Sequence, residues 1–115
     1  VKDGVYEGGV IAPGVKLSML NLSNSTALLP VFSLNKNKKN YGKNTKDALN
    51  AGFIWGYEGL INNIMKKITT KWKKKYRIIL TGGYAHFFKK IIKKKSIIDQ
   101  NITIKGIAKA YKELI

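Results

Sequence analysis

Residues 42–45 read Gly-Lys-Asn-Thr, and they open the longest helical pattern of the chain, Lys46 to about Thr70. Thr45 has the hydroxyl expected of an N-cap, able to accept from the free N–H groups of a first turn. Asp47 sets a negative charge near the positive end of the helix dipole. Leu49, Phe53, Tyr57, Leu60, Ile64 and Ile68 recur every three or four positions and therefore share one helical face. Gly52, Gly56 and Gly59 fall on an adjacent face. Glycine costs a helix roughly 1 kcal/mol relative to alanine. Three glycines on one ridge therefore predict a close neighbour: either tight packing inside one domain, or a subunit seam beside a ligand site.

Outward from this helix, strands and helices alternate. Downstream, Lys71-Trp72-Lys73-Lys74-Lys75 places cations at the negative helix end. Tyr76 to Leu80 is an isoleucine-rich run that predicts a strand buried on both faces, leading straight into Thr81-Gly82-Gly83. Next comes a helix with Phe87, Phe88, Ile91 and Ile92 on one side and Lys89, Lys90, Lys93, Lys94 and Lys95 on the other. That pattern favours a core-facing helix with a lysine exterior over a cationic membrane-surface helix. His86, beside Phe87, is expected to be a partly buried packing residue. Ser96 to Ile98 predicts a short strand. Thr103 is expected to cap a last helix that buries Ile104, Ile107, Ala108, Tyr111 and Ile115.

Upstream, Asp3-Gly4 signals a hairpin turn. Val5 to Ile11 predicts a strand interrupted by Gly8-Gly9. Val15 to Asn24 predicts a helix with Leu17, Leu20 and Leu22 on its apolar side. Ala27 to Leu34 predicts an edge strand carrying Pro30, and Asn35 to Asn40 a polar loop. The alternation implies an α/β layer structure with a partly parallel sheet. Ligands of such sheets bind at the carboxyl ends of strands. That singles out two glycine-bearing turns, Pro13-Gly14 and Thr81-Gly82-Gly83.

Composition narrows the function. A chain of 115 residues is at most one domain. The absence of cysteine excludes disulfides, thiolate metal sites and cysteine catalysis, and it fits a reducing compartment. No apolar run approaches the roughly 20 residues of a membrane span, and the first residues do not form a signal peptide. Val1 falls inside a hairpin pattern, so further sequence is expected upstream. The net charge is +16, yet Arg77 is the one arginine. Proteins that read bases or grip phosphates favour the arginine fork. The joint richness in Lys, Asn and Ile matches AT-biased coding, so a solvated basic surface is favoured over a nucleic-acid site. No Gly-x-x-x-x-Gly-Lys-[Ser/Thr] loop occurs. The acids Asp3, Glu7, Asp47, Glu58, Asp99 and Glu113 form no pair at metal or acid–base spacing. On residue chemistry alone, this is an α/β domain with no complete catalytic set, in which Thr81-Gly82-Gly83 is either a candidate nucleotide site or a plain tight turn.

A set of motifs goes further. Gly8-Gly9-Val10-Ile11-Ala12-Pro13-Gly14 is followed by Leu17-Ser18 and Leu28-Leu29-Pro30. Then come Gly42-Lys43-Asn44-Thr45 with Ala48, Gly52 and Gly56-Tyr57, and Leu80-Thr81-Gly82-Gly83-Tyr84-Ala85. Ile102-Thr103-Ile104-Lys105-Gly106 leads into a terminal helix bearing Leu114. This order resembles that of type III pantothenate kinases over almost the whole chain.

The resemblance implies the C-terminal lobe of an actin-like, ribonuclease-H-like ATPase fold, shared with acetate and sugar kinases, spanning residues 1–115. It implies transfer of the γ-phosphate of ATP, with Mg, to the 4′-hydroxyl of pantothenate on the route to coenzyme A. It further implies a cytoplasmic homodimer that uses a monovalent cation, potassium or ammonium. By the same resemblance, Thr45 contacts pantothenate across the subunit seam. Gly82 and Gly83 lie on the adenosine side, and Gly8, Gly9, Pro13 and Gly14 shape the backbone. The family's Asp-x-Gly-Asn-Thr phosphate loop, its Gly-x-Asp-Arg segment, its Gly-Thr motif and its cation-binding aspartate are not in these residues. The chain alone is therefore expected to be inactive, with no catalytic residue or metal ligand of its own. Two alternatives stand beside this: a non-catalytic accessory or regulatory module of the same fold, and a basic nucleic-acid-binding protein.

Overall fold

The computed structural model describes residues 1–25, 33–35, 40–72 and 75–115. They form α1 (Val15–Ser25), α2 (Thr45–Thr69), β1 (Ile78–Leu80), α3 (Ala85–Ile91), β2 (Ser96–Ile98) and α4 (Ile102–Leu114). This is a mixed α/β chain with two compact units, Val1–Leu60 and Ile61–Ile115.

In the first unit, Asp3 and Gly4 adopt positive φ (50° and 81°). Lys2 and Val5 close the turn through two backbone hydrogen bonds of 2.9 Å, as Asp-Gly predicts. The strand expected over Val5 to Ile11 does not form. Beyond the Lys2–Val5 bridge this stretch is irregular and exposed, and Ile11 is fully so. A strand needs a neighbour for its N–H and C=O groups, and no described residue supplies one. Helix α1 matches its predicted span, and Val15 is buried, but Leu17 and Leu20 are exposed. The strand expected over Ala27 to Leu34 and the loop over Asn35 to Asn40 lie mostly outside the described residues.

Helix α2 begins one residue earlier than predicted, which corrects the identity of its cap. Thr45 is the first helical residue. Asn44 is the cap: its carbonyl accepts from Ala48 N, and its side-chain Oδ1 accepts from Asp47 N, both at 2.9 Å. Asn44 Nδ2 in turn donates to the Asp47 carboxylate at 2.9 Å. The two residues thus make a variant of the capping box, in which Asp47 meets the side-chain amide of the cap and not its backbone N–H. Gly42 makes this possible, because a Cβ there would lie 2.0 Å from Ala48 N. Deeper in the helix, buried Asn50 acts as a backbone surrogate. Its Oδ1 accepts from Asn35 N at 2.8 Å, and its Nδ2 donates to Asn35 O at 2.6 Å.

In the second unit, β1 and β2 pair in parallel with Ile78 opposite Ser96, Ile79 opposite Ile97 and Leu80 opposite Ile98. Helix α3 connects the strands and packs on both. Ala85, Ile91 and Ile92 are buried and Phe87 and Phe88 half-buried, which supports the core-facing reading of this helix. His86 is exposed rather than partly buried. Strand β1 is not buried on both faces: Ile79 and its partner Ile97 are each close to half exposed, because the described residues cover one face of the pair and leave the other open.

Thr103 is not a cap. It lies inside α4, whose N-cap is Asn101 without a side-chain cap bond. The apolar stripe of α4 is not buried either; Ile104, Ile107, Tyr111 and Ile115 are exposed, and so is Ala108. The stripe is real, but its large residues stay more than half exposed among the described residues.

Asn50→Leu keeps side-chain volume and removes both bonds to Asn35. It is expected to lower stability by about 1–3 kcal/mol, read by urea unfolding, whereas Asn63→Leu at an exposed position of the same helix changes little.

Candidate functional site

An open groove of about 800 Å³ runs along α2 in the first unit. Its floor is Gly52 and Gly56, flanked by Leu49, Phe53, Tyr57 and Leu60 on the same helix; Pro13 and Ser18 close one side, and Thr45 stands at the α2 N-terminus. The helical period explains the shape. Phe53 and Tyr57, four residues apart, stack at 6.0 Å between ring centroids. The glycines one position before each leave notches beside the rings.

The groove is braced by the Tyr57 hydroxyl, which donates to the Pro13 carbonyl at 2.9 Å and lies 2.9 Å from Ser18 Oγ. One hydroxyl carries one proton, so the Ser18 hydroxyl serves as donor to Tyr57 in this arrangement. The chain from Ser18 through Tyr57 to Pro13 ties the Pro13-Gly14 turn and the start of α1 to α2.

A Cβ added at Gly52, Gly56 or Gly59 would meet nothing within 4 Å. The ridge is therefore not packed inside this unit. Of the two expectations for it, the intradomain one fails among the described residues. Apart from Tyr57, the groove lining carries no titratable group. Its chemistry is that of a binding surface for an apolar or amide-bearing ligand, with the Thr45 and Ser18 hydroxyls as its polar side-chain contacts.

The second predicted position is the carboxyl edge of the parallel pair in the other unit. Gly82 has φ 92°, which a residue with Cβ rarely adopts. Its N–H donates to Gln100 Oε1 at 3.1 Å, and its carbonyl accepts from Gln100 Nε2 at 3.0 Å. The Gln100 amide thus continues the strand ladder one step past Leu80, whose carbonyl accepts from Asp99 N at 3.0 Å. Gly82 and Gly83 are exposed, with open space where a Cβ would sit. Beside them, the Asp99 carboxylate accepts from Lys105 Nζ at 2.8 Å and from Asn101 N at 2.9 Å. The Lys105 hydrogen bond, and then the Asn101 N–H, hold this carboxyl below the usual carboxylate range. Thr45 lies in one unit, and Gly82 with Gly83 in the other.

Sequence reasoning missed Asn44, Tyr57 as a brace, and Gln100. The first had a legible signal, Asn-x-x-Asp at a helix start. The other two act over 39 and 18 residues respectively, and no local pattern announces such contacts.

The family model for type III pantothenate kinases matches residues 1–67, which include every residue of the groove. The chain belongs to the type III pantothenate kinase family. Curated relatives carrying that name agree. One from Pelagibacter ubique is 48% identical over 105 residues, covering 91% of this chain and 42% of the relative. One from Hyphomonas neptunium is 36% identical over 110 residues, covering 96% and 43%. One from Maricaulis maris is 34% identical over 110 residues, covering 96% and 42%. The chain thus spans about two fifths of the length of the relatives it matches. In this family member, no helix among the described residues is long and apolar enough to cross a membrane.

Two outcomes follow for this kinase-family chain. Gly52→Ala and Gly56→Ala are each expected to raise thermal stability, by about 0.5–1 kcal/mol, because the new methyl meets open space. Asp99 has a native pKa below its unfolded value, so its contribution is present above the unfolded pKa and is lost as pH falls through the native one. Amide exchange in the first turn of α4 is expected to accelerate below about pH 4, and Asp99→Asn should show that faster exchange already at neutral pH.

Proposed function

We propose that this chain is the C-terminal lobe of an actin-like, ribonuclease-H-like kinase that phosphorylates the 4′-hydroxyl of pantothenate with ATP, toward coenzyme A. The observation that carries this reading is the family match over the groove-bearing residues, together with 48% identity to the Pelagibacter kinase across 91% of the chain. In this reading the protein is a cytoplasmic homodimer.

The groove geometry supports a division of labour. Thr45, exposed at the mouth of an apolar groove, offers a hydroxyl to the amide or hydroxyl groups of pantothenate. The Phe53–Tyr57 wall excludes water from the ligand's apolar part. Gly52 and Gly56 admit a second subunit or the ligand to within backbone distance. Gly82 and Gly83 present a surface free of side chains against which the adenosine side of ATP can lie flat, with Gln100 holding the Gly82 peptide in place. These residues bind and orient, and orientation alone is worth several kcal/mol of a transfer barrier.

Phosphoryl transfer also needs charge stabilisation around the γ-phosphate, normally with Mg²⁺. No group of three or more His, Asp or Glu among the described residues could hold a metal. In this reading the ligands for Mg²⁺ and for the potassium or ammonium ion come from the family segments that the resemblance places outside these residues.

The test is a chimera in which this chain replaces the matching two fifths of the Pelagibacter enzyme. It is expected to phosphorylate pantothenate, while this chain alone does not. In the chimera, Thr45→Val should raise KM for pantothenate about tenfold, the value of one lost hydrogen bond, and leave KM for ATP unchanged; Gly82→Val should do the reverse. A folded chimera without activity would overturn the kinase reading in favour of a non-catalytic module. An active chimera indifferent to Thr45→Val would overturn the site assignment alone.

A further inference from the structure

The charge of this chain is unevenly spread. Residues 61–115 hold 15 of the 22 Lys and Arg and two of the six acids. Both of those acids are engaged on or beside α4: Asp99 with Lys105, and Glu113 with Lys109. Three of the other cations, Lys66, Lys93 and Lys94, line a cleft of about 520 Å³ between the last turns of α2 and the turn that joins α3 to β2. Lys66 stands on one wall, Lys93 and Lys94 on the other, and no carboxylate lines it.

The cleft is held together by specific bonds. Asn62 on α2 donates from Nδ2 to the Ile91 carbonyl at 3.1 Å and accepts at Oδ1 from Lys93 N at 3.2 Å. One side chain thus clamps the backbone of the facing turn and sets the distance between the walls. Lys94 is oriented as well: its Nζ donates to the Tyr76 hydroxyl and lies 5.0 Å from the centre of that ring. Trp72 packs edge-on against Tyr76 from the far side in sequence. The Lys94 hydrogen bond, and then the Thr69 one, push the Tyr76 hydroxyl below the usual phenol range.

One effect opposes an anion here, the negative end of the α2 dipole. It amounts to roughly half an elementary charge, and two of the terminal carbonyls are already covered. Lys66 O accepts from Thr70 N, and Thr69 O from Trp72 N, both at 3.0 Å. Three ammonium groups outweigh that remainder. A single phosphate balances fewer than three such charges at neutral pH, whereas a chain of two or three phosphates carries enough charge to balance all three.

We propose that the cleft between Lys66 of α2 and Lys93–Lys94 of the α3–β2 turn is a binding site for a condensed phosphate chain, either free or carried by a nucleotide. It is separate from the position assigned to ATP above. Tyr76 precedes β1 and Lys94 precedes β2, so the cleft lies at the amino edge of the parallel pair. Gly82 lies past its carboxyl edge. The cleft thus lies at the opposite end of the strand pair from Gly82.

The experiment is calorimetric titration of the full chain with sodium tripolyphosphate at about 50 mM salt, with ATP and a short DNA duplex as parallel titrants. Saturable binding of one equivalent is expected. Lys93→Gln/Lys94→Gln should weaken it by about tenfold or more, and Lys66→Gln, on the opposite wall, should weaken it independently. The exposed control pair Lys89→Gln/Lys112→Gln should stay within about twofold, with circular dichroism unchanged in all variants. Displacement of tripolyphosphate by ATP would assign the nucleotide as the source, and no displacement the free chain. Uptake that does not saturate, or equal loss in the control pair, would overturn the proposal. Tighter binding of the duplex through the same lysines would overturn it in favour of a nucleic-acid surface.

Discussion

The peptide of Gly42 lies so close to the first turn of α2 that any side chain there would collide with the Ala48 backbone, and the first unit depends on that contact. With the chain folded back at this point, the Asn44 side chain reaches the Asp47 N–H, and the Asn44 carbonyl takes the first helical bond. Thr45 is then left exposed at the first helical position instead of being used up as a cap. A threonine serving as cap would have spent its hydroxyl on the backbone. Assigning the cap to Asn44 frees that hydroxyl for a ligand, and this strengthens the role proposed for Thr45.

From that start, α2 carries two patterns that pull in opposite directions. The apolar period from Leu49 to Ile68 stabilises the helix by packing. The three glycines weaken it by roughly 1 kcal/mol each, a large fraction of the 5–15 kcal/mol that holds a domain together. Nothing among the described residues of the unit offsets the cost, because the positions where their Cβ atoms would stand are empty. The glycines make physical sense if close backbone approach is needed by something outside the described chain. A ligand or a second subunit along the groove meets that requirement, and it explains why the floor of the groove is bare while its walls are aromatic.

Much of this was legible in the residues. The spans of α1, α2 and β2, and the existence and buried face of α3, follow from period and turn chemistry. The Asp3-Gly4 turn needed only the recognition that both residues tolerate positive φ. The motif Gly-Lys-Asn-Thr led to the groove. Other features were not legible, for two distinct reasons. Gln100 holding Gly82, Asn50 serving Asn35, and Tyr57 reaching Pro13 are side-chain-to-backbone bonds between distant segments, and such bonds leave no periodic trace. The errors of burial have a different origin. Ile104, Ile107 and Tyr111 on α4, and Ile79 with Ile97 on the strand pair, show the correct apolar pattern on surfaces that are exposed.

Apolar period records which face of an element is suited to a dry environment; it does not record whether the covering element belongs to the same stretch of chain. Here the stretch spans about two fifths of its relatives' length. An isolated helix of 13 residues such as α4 is marginal in water on propensity alone, so its stripe has a thermodynamic reason to be covered. A sheet of two three-residue strands is equally short of the three or more strands that stand unaided. Both shortfalls lie in the second unit, where the cationic cleft is nonetheless held by its own bonds through Asn62 and Tyr76. The cleft therefore does not depend on whatever covers α4, whereas the Gly82 edge, which shares Asp99 and Gln100 with the start of α4, is coupled to it. Ordering α4 would steady the Asp99–Lys105 pair and with it the peptide that Gln100 holds, so the Gly82 edge would gain rigidity from any packing on α4.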